Sequence, residues 1–232
     1  MKTNTTHSNQ KMSVSVIIIT LNEFESIGQV LKELPRNLDE ILVVDGYSSD
    51  GTPELVKSLG YEVIMQQGKG YGAAFLTGIK KAKGDVLVLM DGDGSHNPAD
   101  IPRLLEKVSE GYDAVFGSRY LPGSGSEDDT IIRYFGNKVF TYFTNLVHHV
   151  GISDSLYLFA AIRREVFERI KLSGLGFEFC VEVPIKVHLA GFKIAEVPCF
   201  ERKRFYGKSR VNAFFHGLRI LWMIIKIKFS KK

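Results

Sequence analysis

The feature that most constrains this chain is a regular alternation of short apolar runs with segments of helical spacing, which continues from residue 13 to residue 118. The apolar runs have strand length and are rich in β-branched residues, and they cover 13–20, 40–45, 61–65, 85–90 and 114–118. Segments with helical spacing separate them, at 26–34, 53–59, 72–82 and 98–110. Near-continuous apolar runs are typical of parallel strands that are buried on both faces. The alternation therefore predicts an α/β fold with an open, mostly parallel sheet and helices on both faces.

The order of the elements changes after residue 118. A loop rich in Gly, Ser and Asp precedes helix-like segments at 131–150, 163–170 and 179–190, a strand at 193–200 and a terminal amphipathic helix. With 44% hydrophobic and 24% charged residues among 232, the chain can bury a substantial core, which excludes disordered and fibrous classes. We assign one domain to residues 13–211, with halves at 13–120 and 121–211, flanked by a flexible tail at 1–12 and a basic helix at 212–232.

The net charge of +4 is the sum of two regions of opposite character. Residues 201–232 carry ten Lys or Arg and one acidic residue, a net +9, so the preceding 200 residues carry a net −5. The two cysteines have no companion ligands at metal-binding spacing, which makes a zinc or disulfide framework improbable. The first twelve residues lack the apolar core of a secretory signal, so we predict a cytoplasmic protein.

The basic end of the chain is also strongly apolar. Seven apolar side chains fall on one face at helical spacing: Phe214, Phe215, Leu218, Leu221, Trp222, Ile225 and Phe229. This stretch is shorter than the roughly 20 residues of a membrane span, but a basic amphipathic helix can lie in the interface of an anionic membrane. We predict peripheral membrane contact, and the alternative is a helix docked on the core or in a dimer. No nucleic-acid motif accompanies the charge, so we expect no nucleic-acid partner.

Polar residues follow each of the first four predicted strands. In an open parallel sheet the ligand crevice lies outside the carboxyl ends of the strands. Asp91 and Asp93 follow the fourth strand, and two carboxylates so spaced can share Mg²⁺ or Mn²⁺, which would bridge to substrate phosphate oxygens. The alternative is an ordinary acidic turn, because Asp-Gly is a common turn pair. The position at the end of a buried strand favours the metal.

Three further segments have both a ligand and a structural interpretation. Residues 68–72, Gly-Lys-Gly-Tyr-Gly, could cradle a phosphate before a helix N-terminus or form a flexible turn, and the sequence leaves both interpretations open. We assign Asp45 to a ligand and Asp50 mainly to capping the next helix. Arg119 ends the fifth strand and would face a metal-bound phosphate, unless it is a solvated surface charge.

Five ordered blocks, at 20–23, 44–52, 68–70, 90–96 and 117–120, resemble glycosyltransferase family 2, which has the GT-A fold. Within it the sequence is most similar to dolichol-phosphate mannosyltransferases and related polyprenyl-phosphate glycosyltransferases. The resemblance implies a nucleoside-diphosphate sugar donor bound by the first half of the domain and an acceptor bound by the second. Donor-nucleotide residues would be Thr20, Asn22, Glu23, Asp45, Gly68, Lys69, Gly70 and Asp91.

The resemblance also implies the remaining site residues. Asp91, Asp93 and Ser95 would hold the metal, where Ser95 replaces a glutamine of the closest relatives. Catalysis would depend on Asp91, Asp93 and Arg119, and the acceptor phosphate would be held by Arg119, Arg133, Arg204 and Lys208. Asp154 would begin an acceptor-side motif of which only the ends, Asp154 and Phe159, match.

These residues together predict a metal-dependent, inverting transfer of a sugar, mannose or glucose, to a polyprenyl or dolichyl phosphate at the cytoplasmic face of a membrane. A phosphate monoester has a second pKa near ~6, so it is a dianionic nucleophile at neutral pH and needs no general base. A glycan hydroxyl is the alternative acceptor and would need a carboxylate base, for which Glu178 and Glu182 are the candidates. A nucleotide-binding module without catalysis is the alternative of another class.

Overall fold

The computed structural model describes residues 12–207 and 213–230. The strands in these residues are β1 (Val14–Thr20), β2 (Glu40–Asp45), β3 (Glu62–Met65), β4 (Val86–Asp91), β5 (Ala114–Ser118), β6 (Gly125–Ser126), β7 (Ala160–Arg163), β8 (Ile194–Pro198) and β9 (Phe200–Glu201). The helices are α1 (Phe24–Glu33), α2 (Thr52–Ser58), α3 (Tyr71–Lys81), α4 (Ile101–Ser109), α5 (Ile131–His148), α6 (Arg164–Arg169), α7 (Phe179–Leu189) and α8 (Ala213–Phe229). The alternation of strands and helices that the sequence predicts up to residue 118 is confirmed.

One large sheet has the strand order β3-β2-β1-β4-β7-β5-β8. Its neighbours pair in parallel, except that β7 runs antiparallel to β4 and to β5. Strands β6 and β9 form a separate two-stranded ladder. The fold is therefore the open, mostly parallel α/β sheet that was predicted, with one antiparallel strand between β4 and β5.

Each face of the sheet packs against its own layer of helices, because successive side chains of a strand point to opposite faces. In β1, Ile17 and Ile19 face a core completed by α3, α7 and α8, whereas Val16 and Ile18 face a core completed by α1, α2 and α4. All seven residues of β1 are buried. This explains why the sequence of β1 is a continuous apolar run rather than an alternating one.

The terminal helix α8 packs on the same core as the sheet. Its residues Ile220, Met223, Ile224 and Ile227 are at most 8% exposed and belong to the cluster that contains β1, α3 and α7. The imidazole Nε2 of His148 in α5 lies 2.8 Å from the carbonyl oxygen of Ile224. The docked helix that the sequence left as an alternative is therefore present, and it leaves a second apolar face of α8 exposed.

Candidate active site

The two carboxylates that follow β4 are held in place by a tight turn. Asp91 is the last residue of β4, and a Cβ on Gly92 would lie only 2.7 Å from Cγ2 of Thr20, so a glycine is needed for this approach to β1. Oδ1 of Asp93 accepts hydrogen bonds from the backbone N–H of Ser95, at 2.9 Å, and from its hydroxyl, at 2.7 Å. The local hydrogen bonds thus fix Asp93 next to Asp91 at the carboxyl edge of the sheet.

Asp91 has a carboxylate oxygen that none of the described residues satisfies. Its Oδ1 is shielded from solvent and has no hydrogen-bond partner. Burial, reinforced by the charge of Asp93, raises the pKa of Asp91 well above its usual range, although Tyr71 and Arg204 oppose this rise. A divalent cation would supply the missing partner and would favour the ionised carboxylate, so these residues fit Mg²⁺ or Mn²⁺.

The described residues alone do not complete a metal coordination shell here. Within residues 12–207 and 213–230 no three His, Cys, Asp or Glu side chains form a metal-binding group. Ser95, the predicted further ligand, is buried, and its hydroxyl donates a hydrogen bond to Asp93. The remaining ligands of a cation would therefore be substrate oxygens, which is how Mg²⁺ is usually held beside phosphates.

A cavity of about 280 Å³, called here the strand-end cavity, opens beside the two carboxylates. Of the residues predicted to bind the nucleotide, four line this cavity: Thr20, Glu23, Gly70 and Asp91. The other four are not part of its lining: Asn22, Asp45, Gly68 and Lys69. Gly68 and Lys69 are exposed on the loop between β3 and α3. The donor roles of all eight residues stay predictions.

Asp45 holds two loops together beneath this cavity. It is fully buried, and its carboxylate accepts hydrogen bonds from the hydroxyl of Thr20, at 2.8 Å, and from the backbone and hydroxyl of Ser48, at 2.7 and 2.6 Å. The Ser48 hydroxyl oxygen in turn accepts from the backbone of Asn22. The predicted capping role of Asp50 needs a correction, because the N-cap of α2 is Gly51; Asp50 precedes it and accepts hydrogen bonds from the backbone N–H groups of Thr52 and Phe24. Asp45 thus has a structural task whether or not it contacts a nucleoside.

The glycines before α3 are required by close packing. A Cβ on Gly70 would lie 2.3 Å from the carbonyl oxygen of Leu175, and one on Gly72 would lie 2.2 Å from that of Gly174. The backbone N–H of Ala73, near the start of α3, donates to the Leu175 oxygen at 3.1 Å. The carbonyl oxygen of Leu175 therefore occupies part of the N-terminus of α3, where the sequence predicted that a phosphate could bind. Of the glycines in this loop, Gly70 lines the strand-end cavity.

A second cavity, of about 220 Å³ and called here the helix cavity, lies between α5 and α8. Arg119, Arg133 and Arg204, three residues predicted to hold the acceptor phosphate, all line it. The fourth, Lys208, lies outside the described residues. The wall of the helix cavity also includes apolar side chains: Ile132, Phe140, Leu156, Leu158, Phe177 and Ile220. The cavity thus combines cationic groups with an apolar lining.

The arginines of the helix cavity are paired with carboxylates. A guanidinium nitrogen of Arg133 lies 2.9 Å from Oδ2 of Asp128, and Nε of Arg204 lies 3.5 Å from the same oxygen. Another nitrogen of Arg204 lies 2.7 Å from Oδ2 of Asp93. Arg204 therefore links the acidic turn after β4 to the cavity between the helices.

Arg119 is the most deeply buried of these cations. Its Nε and one terminal nitrogen bind the two oxygens of Asp154, at 2.7 and 3.0 Å, and its other nitrogen lies 3.2 Å from Glu201. Although burial disfavours the charge, Asp154 and Glu201 raise the pKa of Arg119 well above its usual range. The guanidinium lies 5.0 Å from the ring centre of Tyr157. Arg119 therefore joins β5, β9 and the segment before β7, and its contact with a phosphate stays a prediction.

The two cavities are adjacent. In the described part of the chain, five residues line both of them: Tyr71, Asp91, Phe177, Arg204 and His216. Two substrates bound in these cavities would meet at this shared wall, beside the candidate metal ligands.

Sequence reasoning did not assign Tyr71, Asn137 and His216, which the structure places in the cavity walls. Asn137 lies one helical turn after Arg133, and this spacing was an available signal. Its side-chain amide donates to the hydroxyl of Tyr120 at 3.0 Å. No comparable signal marked His216, because the apolar pattern of the terminal helix indicated a membrane contact only.

His96 fixes the end of β4. Its Nδ1 accepts a hydrogen bond from the backbone N–H of Asp91 at 3.1 Å, while its ring stacks on Phe159 and contacts the edge of Tyr157. Burial lowers the pKa of His96 to about 3, so the ring is neutral at pH 7 and Nδ1 stays an acceptor. His96 thus orients the strand end that carries Asp91.

The two candidate bases for a hydroxyl acceptor have structural contacts. Glu182 is fully buried, accepts hydrogen bonds from Ser173 and Gly174, and lies 2.7 Å from Nζ of Lys186. Oε1 of Glu178 lies 2.8 Å from Arg219 of α8. Glu182 therefore supports the loop before α7, and neither glutamate lines the two cavities.

The helices that flank the helix cavity expose apolar side chains to solvent. On α5 these are Ile131, Ile132, Tyr134, Phe135, Val139, Tyr142, Phe143 and Leu146. On α8 they are Phe215, Leu218, Trp222, Ile225 and Phe229. We call these two sets together the α5–α8 surface. Among the helices that the structure describes, none has the length and hydropathy of a membrane span.

Residues 15–171, well over half of the chain, match the family described as Glycosyl transferase family 2. The chain belongs to this family. The resemblance stated from the sequence blocks is therefore confirmed, and the protein is a glycosyltransferase.

This glycosyltransferase is similar to several curated proteins. It is 34% identical to the dolichol-phosphate mannosyltransferase of Pyrococcus furiosus over 93% of this chain and 64% of that protein. It is 31% identical to the dolichyl-phosphate hexose transferase of Haloferax volcanii, over 92% of this chain and 93% of that protein. It is 36% identical to the polyprenol monophosphomannose synthase of Mycolicibacterium smegmatis, over 85% of this chain and 80% of that protein. The chain thus spans somewhat less than two thirds of the Pyrococcus protein.

The fold of this glycosyltransferase is also found in a solved structure. The glucosyl-3-phosphoglycerate synthase of Mycobacterium tuberculosis, in complex with Mn²⁺, uridine diphosphate and glucosyl-3-phosphoglycerate, matches with a TM-score of 0.77. The match covers 95% of this chain and 81% of that chain at 19% identity. At this identity the likeness shows a shared GT-A fold.

Proposed function

We propose that this glycosyltransferase moves a hexose, mannose or glucose, from a nucleoside-diphosphate sugar to a polyprenyl or dolichyl phosphate, with inversion at the anomeric carbon. The observation that carries the proposal is the helix cavity, because it joins three arginines to an apolar wall next to the candidate metal site. The phosphate group of a lipid phosphate needs cationic contacts, and its prenyl chain needs apolar ones. The names of the three curated relatives support the same acceptor class.

The donor would occupy the strand-end cavity. Its nucleoside would lie towards Thr20 and Glu23, and its diphosphate would lie towards Asp91 and Asp93, which would hold Mg²⁺ or Mn²⁺. The cation would neutralise the charge that develops on the departing nucleoside diphosphate. Support for a metal comes from the unpartnered oxygen of Asp91 and from the complex of the mycobacterial structure with Mn²⁺.

The acceptor phosphate would lie among Arg133, Arg204 and the buried Arg119. One of its oxygens would attack the anomeric carbon, forming a carbon–oxygen bond as the bond to the nucleoside diphosphate breaks. Because the phosphate monoester is already ionised at neutral pH, no proton has to be removed. Neither Glu178 nor Glu182, the two bases predicted for a hydroxyl acceptor, lines the cavities. Two carboxylates that do line the helix cavity, Asp128 and Glu201, form ion pairs with Arg133 and Arg119. Catalysis is then mainly positioning and charge stabilisation.

The α5–α8 surface would rest on the cytoplasmic face of a membrane. It borders the cavity that would receive the acceptor phosphate, so a prenyl chain could remain among lipids while its phosphate enters the protein. Lys226 and Lys228, in the last turn of α8, would favour anionic headgroups. The contact is peripheral, with apolar side chains inserted at the depth of the headgroups.

A panel of radiolabelled sugar nucleotides with geranyl phosphate in detergent micelles tests this function. We expect one donor to give a labelled prenyl phosphate sugar, and we expect removal of divalent cations with EDTA to abolish the product until Mg²⁺ or Mn²⁺ is restored. Label on an oligosaccharide acceptor instead would assign the fold to a hydroxyl acceptor. A folded protein that turns over no donor would indicate a nucleotide-binding module.

A further inference from the structure

Among the residues that the structure describes, the shared wall of the two cavities contains one residue of the terminal helix. Of the five residues that line both cavities, only His216 belongs to α8. The reacting groups of two substrates must come within contact distance of each other for transfer to occur. A side chain at the shared wall is therefore placed where the attacking and departing groups meet.

The packing of α8 fixes the direction of this side chain. The ring of His216 meets Phe177 edge to face, with ring centres 6.1 Å apart. A Cβ on Gly217 would lie 3.1 Å from Cζ of Phe140, so the glycine allows α8 to approach α5 closely at this point. One turn further on, Arg219 pairs with Glu178 at 2.8 Å. These contacts set the rotation of α8 about its axis and leave His216 half-buried in the wall.

The neighbours of His216 in α8 lie on the acceptor side. The next residue, Gly217, and Ile220 one turn later also line the helix cavity, whereas neither lines the strand-end cavity. An imidazole N–H is a hydrogen-bond donor, and the oxygens of a phosphate monoester are strong acceptors.

We propose that His216 donates a hydrogen bond to the acceptor phosphate, a role that rests on the function proposed above. Helix α8 then has a second task besides membrane contact, since it contributes a substrate-binding group to the active site. The three arginines supply charge to the helix cavity, and His216 adds a hydrogen-bond donor at the wall that the two cavities share.

Two variants separate this role from simple packing. His216→Phe keeps an aromatic ring against Phe177 but removes the N–H donor, and His216→Gln keeps a donor on a side chain without the ring. We expect His216→Phe to raise the KM for geranyl phosphate, and its dissociation constant measured by titration calorimetry, about tenfold. The KM for the sugar nucleotide should not change. His216→Gln should recover part of the lost affinity.

The control is His188→Phe, on the half-exposed end of α7 and outside both cavities, with thermal unfolding measured for every variant. Unchanged affinity of His216→Phe for geranyl phosphate would overturn the proposal, as would a selective rise in the donor KM, which would assign His216 to the departing diphosphate. A wild-type protein that binds geranyl phosphate but makes no product refutes the proposed function alone, because calorimetry still decides the role of His216. Absence of geranyl phosphate binding to the wild type would overturn both.

Discussion

Two aspartates at the same edge of the sheet differ in how their oxygens are satisfied. Asp45 is fully buried, and its carboxylate accepts hydrogen bonds from Thr20 and Ser48. Oδ1 of Asp91 is shielded from solvent and has no hydrogen-bond partner in the part of the chain that the structure describes. Oδ2 of Asp100 and Oε2 of Glu178 are in the same state, but neither residue lines the two cavities, whereas Asp91 lines both. An unsatisfied buried carboxylate oxygen is costly, and a cation bound in these cavities would satisfy that of Asp91. This difference separates a carboxylate that supports loops from one that is prepared for a cation.

The substitution Asp93→Asn tests the metal site at the scale of one residue. It keeps the shape of the side chain but removes one charge from the pair with Asp91, so we expect the turnover rate to fall at least about 10²-fold. Binding of Mn²⁺ in the presence of a nucleoside diphosphate, followed by calorimetry, should weaken in parallel. Asp113→Asn is the matched control, because Asp113 precedes β5 at the opposite edge of the sheet. Equal activity of the two variants would argue against a metal role for Asp93.

Arg119 provides a second residue-scale prediction. Replacement by Met would leave Asp154 and Glu201 without their common cation in a buried setting, so we expect the free energy of unfolding to fall by about 3–5 kcal/mol. Urea denaturation measures this loss, and Arg36→Met, an exposed site on the loop after α1, should change stability by less than about 0.5 kcal/mol. A stable Arg119→Met variant that loses only phosphate affinity would make Arg119 a ligand residue without a structural task.

The sequence predicted which edge of the sheet holds the site, because strand ends in a parallel sheet meet at one edge. The sequence could not predict which carboxylate oxygens at this edge lack a hydrogen-bond partner. The donors that saturate Asp45 come from loops whose paths depend on tertiary packing, and the ion pairs of Arg119 join segments 35 and 82 positions away. Such long-range partners leave no local pattern in the chain.

At the scale of elements, the terminal helix has two apolar faces with different tasks. One face, with Met223 at 1% exposure, packs on the core, whereas the other presents Trp222 at 56% exposure. Hydrophobic spacing predicted the helix but could not assign the faces, because apolar residues surround most of its circumference. The sequence placed the membrane contact on α8 alone, and the exposed apolar side chains of α5 extend that surface.

The adjacent residues Trp222 and Met223 form a matched pair for testing these faces. Trp222→Ala should leave the free energy of unfolding within about 0.5 kcal/mol and weaken binding to vesicles of anionic phospholipids about tenfold. Met223→Ala should lower stability by about 2–5 kcal/mol, because it opens a cavity in the core. Vesicle sedimentation and urea denaturation measure the two effects. Vesicle binding that Trp222→Ala leaves unchanged would contradict the membrane contact of this face.

Strand β7 was not predicted from the sequence. It has only four residues, Ala160–Arg163, and follows a buried apolar segment without a turn signal between them. Its place between β4 and β5 depends on antiparallel pairing with both. The position of so short a strand depends on its pairing with β4 and β5 rather than on the pattern of apolar residues in its own sequence.

At the scale of the whole molecule, the basic C-terminal region is not one surface. Arg202 lies 2.8 Å from Glu33, and Arg204 lies 2.7 Å from Asp93, so these cations pair with the acidic part of the chain. Lys226 and Lys228 lie instead at the end of α8, beside the α5–α8 surface. The cations that the structure describes in residues 201–232 are therefore divided between ion pairs with the acidic part of the chain and the end of the proposed membrane surface.

The central claim is that the nucleophile is a phosphate held between α5 and α8. A direct comparison of geranyl phosphate with geraniol, under equal donor and Mg²⁺ concentrations, isolates that phosphate, since the two acceptors share the same prenyl chain. We expect mass spectrometry to detect a hexosyl phosphate product from geranyl phosphate, with inverted anomeric configuration by NMR, and no product from geraniol. Glycosylation of geraniol at a comparable rate would contradict the account.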